Sequence, residues 1–338
     1  MLVGKIRESY QVALIIAFGI AIRLAAIPAF ASTPFRPVDV YYVDTQAAKY
    51  IVHFSNPYAQ TYIIHGSQLT ILAYLPFVSI YYAPFYKLLG DIRYGNIFAD
   101  VLIMLSLYWI AKSINRGRAV WSPLIYAVFP VSILLTSISS TNMVVGTAFL
   151  IVALAATLKR KYLIASVFLG LGIATNQFVI LSVPVIAYYY WKQKKFVFLS
   201  LAMMISAAII LPFFLVMPSQ FVYDVFEYQF VRSLQPNGVF SLYSFIHSIS
   251  GVGLSSWIRG VLFLVPALLT LFWFTKDLGR FTLTVGILLL LGAFMLPVDG
   301  FWNYFLPALS VGCGLVPSFF ARVNTRRSSV KPLVSSAP

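Results

Sequence analysis

Read along the chain, apolar residues come in long blocks separated by short polar joints. A bilayer core takes about 20 apolar residues per helix. On that ruler the blocks predict membrane spans near 9–30, 70–90, 95–112, 119–137, 142–158, 162–191, 196–217, 257–275, 281–297 and 303–321. The block at 162–191 is overlong and carries Thr175-Asn176-Gln177 at its middle. It is either one tilted helix or two short helices meeting at that polar point. The expected fold is all-α, a polytopic transmembrane bundle of about 10 spans. One membrane domain over 1–322 carries two long loops, 31–69 and 218–256, and the polar, basic, proline-bearing tail at 323–338 reads as disordered.

Composition sharpens this picture. Hydrophobic residues make up 60% of the chain and charged ones 10%, with mean hydropathy +0.88. Soluble domains average roughly 25% charged residues, so a soluble fold is excluded. The 24 Lys and Arg against 9 Asp and Glu give a net charge of +15. A nucleic-acid partner would need a soluble basic face, and none is available. The basic residues instead cluster at block ends, where they act as topology signals and contacts to anionic membrane lipids. The single cysteine, Cys313, excludes an internal disulfide and a cysteine-rich metal site. Lys5, Arg7, an apolar run and Ala29-Phe30-Ala31 imitate a signal peptide. Arg23 interrupts that run and Pro28 precedes the cleavage position, so an uncleaved first span is expected.

Basic clusters mark the cytoplasmic side. Lys5/Arg7, Lys192/Lys194/Lys195, Lys276/Arg280 and Arg322/Arg326/Arg327 satisfy this with both termini inside and the two long loops outside. Lys112/Arg116/Arg118 and Lys159/Arg160/Lys161 fall outside if every block crosses once. A hairpin within 162–191 returns the second cluster inside, and one segment between 68 and 113 must then fail to cross.

Candidate chemistry gathers in the first outer loop. Two of the nine acids, Asp39 and Asp44, sit there beside Arg36 and Tyr42, ahead of Asn56-Pro57-Tyr58 and His65. A carboxylate at this boundary suits a general base on an acceptor hydroxyl. A pair suits a divalent cation bridging a phosphate leaving group. Asp44 also reads as the N-cap of an amphipathic interfacial helix over 44–55. Arg23, late in the first span, either snorkels to the surface or meets a lipid phosphate through its guanidinium fork. Asp100 in the third span is costly unless paired, with Arg93 or Arg23 as partners. In the second loop Arg232 is the phosphate-binding candidate, accompanied by Asp224, Glu227 and His247. His53, His65 and His247 lack zinc-site spacing. No phosphate-binding nucleotide loop is present, which excludes an ATP-driven pump in one chain.

Taken in order, these signals resemble a known family. They are Ile22-Arg23-Leu24, Asp39…Asp44, the Ala47-Ala48 helix, Asn56-Pro57-Tyr58, Tyr74-Leu75-Pro76 and Gly90-Asp91-Ile92-Arg93. Weaker echoes are the run Gly170 to Gln177, Arg232…Asn237-Gly238, and the run Asn303 to Leu309. The pattern resembles the GT-C superfamily of polytopic glycosyltransferases, most closely its polyprenyl-phosphate-mannose-dependent members. The chain departs from them in its Asp-x4-Asp spacing, in the acid-free run Ser139-Ser140-Thr141-Asn142, and in Asn176 where many have Lys.

The resemblance implies a GT-C bundle with interfacial helices in the first outer loop. It implies inverting transfer of a hexose, by expectation mannose, from a polyprenyl-phosphate-linked donor to a lipid, glycan or protein acceptor on the outer face. Asp39 would be the base, with Asp44 as second carboxylate and either or both holding any divalent metal. Arg23, Arg36 and Arg232 would hold the donor phosphate, and Tyr42, Asn56, Tyr58 and His65 the substrates. Two other readings stand beside it: a lipid or glycan transporter, and a non-catalytic GT-C-like subunit serving a membrane protein partner.

Overall fold

The computed structural model describes residues 2–29, 38–64, 68–228, 240–272, 277–298 and 301–328. The chain opens with α1 (Leu2–Ala29) and α2 (Asp39–Val52). A small antiparallel hairpin follows, β1 (Tyr62–Ile64) and β2 (Gln68–Thr70), pairing Ile63 with Leu69. It is the one sheet among the described residues and lies outside the bundle expected from the sequence. Next come α3 (Phe77–Leu89), α4 (Arg93–Ile114), α5 (Trp121–Val128), α6 (Pro130–Ile133) with a π-helical extension over Leu134–Ile138, and α7 (Met143–Leu158). The second half holds α8 (Tyr162–Ile173), α9 (Gln177–Ile180), α10 (Val183–Lys192) and α11 (Val197–Val216). It continues with α12 (Pro218–Val222), α13 (Leu242–Ser250), α14 (Ser256–Phe272), α15 (Leu278–Met295) and α16 (Leu306–Ser328).

The protein is an integral membrane helical bundle. Among the described residues four helices are long and apolar enough to cross a bilayer: Glu8–Ala29, Arg93–Ile114, Val197–Val216 and Leu278–Met295. At about 1.5 Å per residue, the longest of these reach about 33 Å. The expected span at 119–137 is broken. α5 and α6 meet at 59° where Phe129 precedes Pro130, whose missing N–H and ring end the first helix. The core centres on α4 and α7, with Ile103, Met104, Leu107 and Ile110 against Val144, Val145, Ala148 and Ile151. α7 is apolar on all sides, as a helix enclosed by neighbours must be.

Two expected blocks bear on topology: the span at 70–90 is corrected, and 162–191 takes the second of its two readings, short helices meeting at Asn176. Residues 70–90 do not form a crossing helix. α3 has 13 residues, and both of its ends lie at the same end of the bundle. Phe77 N–H donates to the Ala174 carbonyl (3.0 Å), while Asp91, just past the far end, reaches the Tyr41 hydroxyl. Gly90 closes α3 in the left-handed conformation (φ 74°), which a residue without Cβ adopts freely. The block 162–191 is a hairpin, with α8 ending at Ile173 and α9 restarting at Gln177 under the Asn176 cap (Phe178 N–H to Asn176 Oδ1, 2.9 Å).

These reversals bring the basic clusters together. Lys159 Nζ lies 3.0 Å from the Trp109 ring centre, Lys112 also stands over that indole, and Lys112 pairs with Glu8 at 3.0 Å. Lys195 stands over Tyr162, one residue past the Lys159–Lys161 cluster. Lys112, Lys159 and Lys195 therefore gather at one end of the bundle. α16 remains helical through Ser328, into the segment expected to be disordered from 323, and residues 329–338 lie outside the described residues.

Candidate functional site

The site grows from the way α2 packs. Its buried positions are Val40, Val43, Asp44, Ala47 and Ala48, the three-and-four spacing of one helical face. Asp44 thus falls in the middle of an apolar stripe and is 0% exposed. The expectation that Asp44 caps this helix is corrected: α2 starts five residues earlier, at Asp39. Asp39 sits exposed in its first turn, and its Oδ1 accepts the Val40 N–H at 2.9 Å. An acid is favoured there by the helix dipole. The cap position itself is Val38, which makes no side-chain cap bond, so neither aspartate caps α2.

Neither carboxyl oxygen of Asp44 has a hydrogen-bond partner. Burial pushes its pKa well above the usual carboxylate range, the Asn142 side chain pulls it back, and the Asp39 charge raises it further. Asn142 faces the carboxyl without closing a hydrogen bond of normal geometry, since its Nδ2 also has no partner. Asn142 arrives on the turn between α6 and α7, which is held to the first loop by Val38 N–H donating to the Ser139 carbonyl (3.1 Å).

Asn56, Pro57 and Tyr58 form a turn beside α2. Asn56 Oδ1 accepts the Tyr58 N–H at 3.0 Å, and Tyr58, fully buried, donates its hydroxyl to the Tyr74 carbonyl at 2.6 Å. Tyr58 also packs against Phe213 and Phe221 (ring centres 5.9 and 4.8 Å apart). It therefore joins the first loop to the chain that leaves α11. That chain contributes Asp224 on a π-helical turn, Tyr223–Glu227, beyond α12. Asp224 is buried, accepts from Gln220 Nε2 at 2.7 Å, and has its pKa pushed up to about 6 by desolvation. Asp44 and Asp224 both act electrostatically on Tyr58 and Tyr62, so the two carboxyls flank one aromatic pair.

A cavity of about 200 Å³ opens beside Asn142. Its lining includes Tyr74, Asn142, Asn176, Gln177, Asn303 and Tyr304. Gln177 Nε2 donates to the carbonyls of Ala73 (3.0 Å) and Val225 (2.9 Å), tying both loops to the start of α9. Gly146 lets α7 approach this wall, because a Cβ there would lie 2.8 Å from Asn176 Cβ. Leu296 lines this cavity and also a larger apolar groove of about 620 Å³, walled by Trp257, Gly260, Val261 and Leu264 of α14 with Glu227 at its rim.

The structure brings Asp44, Tyr58, Asn142 and Asp224 together and places Arg23 elsewhere. Arg23 is 0% exposed and ion-paired through Nε to Asp100. Its other nitrogens donate to the carbonyls of Gly19 (3.1 Å) and Ala127 (3.0 Å) and to Ser132 Oγ (2.8 Å). A guanidinium spent this way inside the bundle has no face for a donor phosphate. Tyr42 lies on α2, edge-on to Tyr41. Arg36, His65 and Arg232 lie outside the described residues. Among the described residues no three His, Cys, Asp or Glu side chains cluster, so Asp39 and Asp44 build no cation cage with a third such ligand.

Reasoning from charge passed over Asn142, Asn176, Gln177 and Asn303, which carry none. Their signal was positional: each is an amide at a break between apolar blocks.

No family model matches the chain. No curated protein matches it either. Among solved structures it is similar to ArnT from Cupriavidus metallidurans bound to undecaprenyl phosphate, with TM-score 0.63 and 13% identity over 93% of this chain and 61% of that one. The apo state of the same protein gives TM-score 0.63 and 13% identity over 95% and 62%. The chain thus spans less than two thirds of the length of the ArnT structures. What the two share is the architecture: this protein has the fold seen in ArnT.

Proposed function

We propose that this protein is a membrane glycosyltransferase that moves a hexose from a polyprenyl-phosphate-linked donor to a hydroxyl of a lipid, glycan or protein acceptor. The observation that carries this reading is the orphaned, fully buried carboxyl of Asp44 facing Asn142, which lines a cavity that shares Leu296 with an apolar groove. A prenyl tail suits the groove and a sugar suits the cavity. ArnT, whose fold this chain shares, was solved with undecaprenyl phosphate. Basic ends are cytoplasmic by the positive-inside rule, so the site end faces outward.

In the mechanism Asp44 is the general base. Its carboxylate takes the acceptor O–H proton as that oxygen bonds to the anomeric carbon. The bond from that carbon to the phosphate oxygen breaks on the opposite face, and the polyprenyl phosphate leaves with the electron pair. Configuration inverts. Burial raises the Asp44 pKa, and a raised carboxylate pKa strengthens a general base. Asp39 lies exposed one helical turn or so away. Arg36 and Arg232, in the two outer loops by sequence, supply cations for the leaving phosphate. By the family resemblance the hexose is mannose.

The test is transfer from labelled polyprenyl-phosphate mannose or glucose in membranes carrying wild type, Asp44→Asn or Asp39→Asn at matched expression. Transfer abolished in Asp44→Asn and retained in Asp39→Asn supports the assignment. The reverse pattern moves the base to Asp39. No transfer by wild type, with donor and acceptor fractions shown to be competent, points to a non-catalytic subunit.

A further inference from the structure

We infer that Asn96 is a positioning residue of the site: together with Tyr82 it holds Ser140 in a left-handed backbone conformation, and the turn so formed sets where Asn142 stands against Asp44. This rests on the reading of Asp44 as the base and adds the device that aims its neighbour.

The starting point is backbone strain. Among the described residues, four other than glycine have positive φ: Phe54, Ser140, Arg160 and Lys194. Each stands one residue past the cap that ends a helical stretch, where the left-handed conformation recurs and glycine is favoured. Phe54, Arg160 and Lys194 are exposed there. Ser140 is 1% exposed at φ 52°. A residue with a Cβ is strained in this conformation, and the strain persists where the surroundings over-determine it.

The surroundings of Ser140 do so. Asn96 Nδ2 donates to Ser140 Oγ at 3.1 Å and to the Thr136 carbonyl of the π-helical turn at 3.4 Å. Asn96 Oδ1 accepts the Tyr82 hydroxyl at 2.5 Å, so both ends of the amide are engaged. Asn96 and Tyr82 are both 0% exposed. On either side of Ser140 the backbone is tied as well. The Ser139 carbonyl accepts from Val38, and Thr141 N–H donates to the Leu135 carbonyl at 2.9 Å.

What this turn delivers is Asn142, at the N-cap of α7. An asparagine at an N-cap ordinarily accepts a backbone N–H of its own helix. Asn142 makes no such bond, and its side chain faces Asp44 instead. Asp44 also acts electrostatically on Tyr82, so the first member of the chain stands near the carboxyl that the last one serves. The titratable groups that act on Asp44 or respond to it are Asp39 on its own helix, Tyr58 and Tyr62 of the first loop, and Tyr82 on α3. Relaxation of Ser140 out of positive φ would redirect the chain after it and carry the Asn142 amide away from the carboxyl.

The experiment reads Asp44 itself, by infrared difference spectroscopy on the full-length protein in lipid nanodiscs. At about pH 6 ordinary carboxyls are ionised and a raised one is not. The carbonyl band of protonated Asp44 is the one missing from Asp44→Asn. In Asn96→Leu that band should move to higher frequency as the Asn142 amide withdraws. Glycine keeps positive φ unaided, so Asn96→Leu combined with Ser140→Gly should reverse most of the shift. In transfer assays kcat should fall about tenfold in Asn96→Leu with KM nearly unchanged, and recover in the double variant. If Asn96→Leu folds poorly, Ser140→Ala against Ser140→Gly gives the same comparison, with the band displaced only by alanine. A band that does not move, or a shift that glycine does not reverse, overturns the inference and leaves Asp44 standing as the base. A shifted band with unchanged kcat overturns it too, since the placement of Asn142 would then not serve the reaction. The expected band pattern in a protein that transfers nothing, wild type included, upholds the positioning and removes the transferase reading.

Discussion

Two aspartates of this protein are equally buried and differ in every other respect. Asp100 on α4 is 0% exposed, as is Asp44 on α2. Asp100 is paired with Arg23 and accepts from Tyr126 (2.6 Å) and Thr136 (2.6 Å), so both of its oxygens are engaged. Arg23 in turn binds two carbonyls and a serine. Asp44 has no bond to either oxygen. The first arrangement pins α1, α4 and the α5–α6 bend to one another and leaves nothing over for a substrate. The second keeps a carboxyl desolvated and uncommitted, which costs stability and is retained where chemistry uses it.

The sharpest way to test that contrast is to remove each charge in turn. Asp44→Asn should reduce transfer by about 10²–10⁴-fold, the usual contribution of a positioned base, while the melting temperature stays level or rises. Because the base must be ionised and its pKa is raised, wild-type activity should climb with pH above the ordinary carboxylate range. Asp100→Asn should do the opposite. Leaving Arg23 buried without its partner costs about 3–5 kcal/mol, read as a drop in thermal unfolding in detergent, with turnover per folded molecule preserved. If Asp100→Asn abolished turnover in protein that melts normally, the ion pair would belong to the site and the contrast would fail.

How much of this could be read before folding follows from the same pair. The sequence showed Asp100 as a charge in an apolar block that needs a partner, and named Arg23 among the candidates. It also showed Asp39 and Asp44 as a rare acidic pair, and a helix over 44–55 that begins at the second of them. The assignment of roles was not legible, because it depended on where that helix begins. A start at Asp44 makes Asp44 a cap. A start at Asp39 places Asp44 on the buried stripe with Val40, Val43, Ala47 and Ala48. The failure of α3 to cross was legible only as a requirement of charge balance, with no residue to say which segment it was. Asn142, Asn176, Gln177 and Asn303 converge from three parts of the chain, and neutral amides carry no charge pattern to link them.

A gentler perturbation separates the site wall from the base. Gly146→Ala places a methyl group 2.8 Å from Asn176 Cβ, closer than side chains tolerate. Overpacking of this kind costs about 1–3 kcal/mol. Asn176 caps α9, so its displacement should weaken binding of the prenyl-phosphate hexose while leaving the Arg23–Asp100 region intact. Unchanged binding would mean that the α7–α9 contact is not part of the sugar wall.

The smallest effect is expected at Asp224, which lies between the two extremes: buried, with one hydrogen bond, from Gln220. Desolvation raises its pKa from 3.8 to about 6. The folded state therefore holds this proton more tightly than the unfolded chain does. As pH rises from 3.8 toward about 6 the unfolded chain is already ionised, while the fold must keep the proton or bury a charge. Stability should fall across that window and level off above it. Asp44, raised further, extends the same decline to higher pH. Melting curves from about pH 4 to about pH 7 should show the lower part of the slope flattened in Asp224→Asn and the upper part flattened in Asp44→Asn. Superimposable profiles for Asp224→Asn and wild type would mean that the π-helical turn opens to water when Asp224 ionises, and that the two carboxyls flanking Tyr58 and Tyr62 are not held in one dry environment.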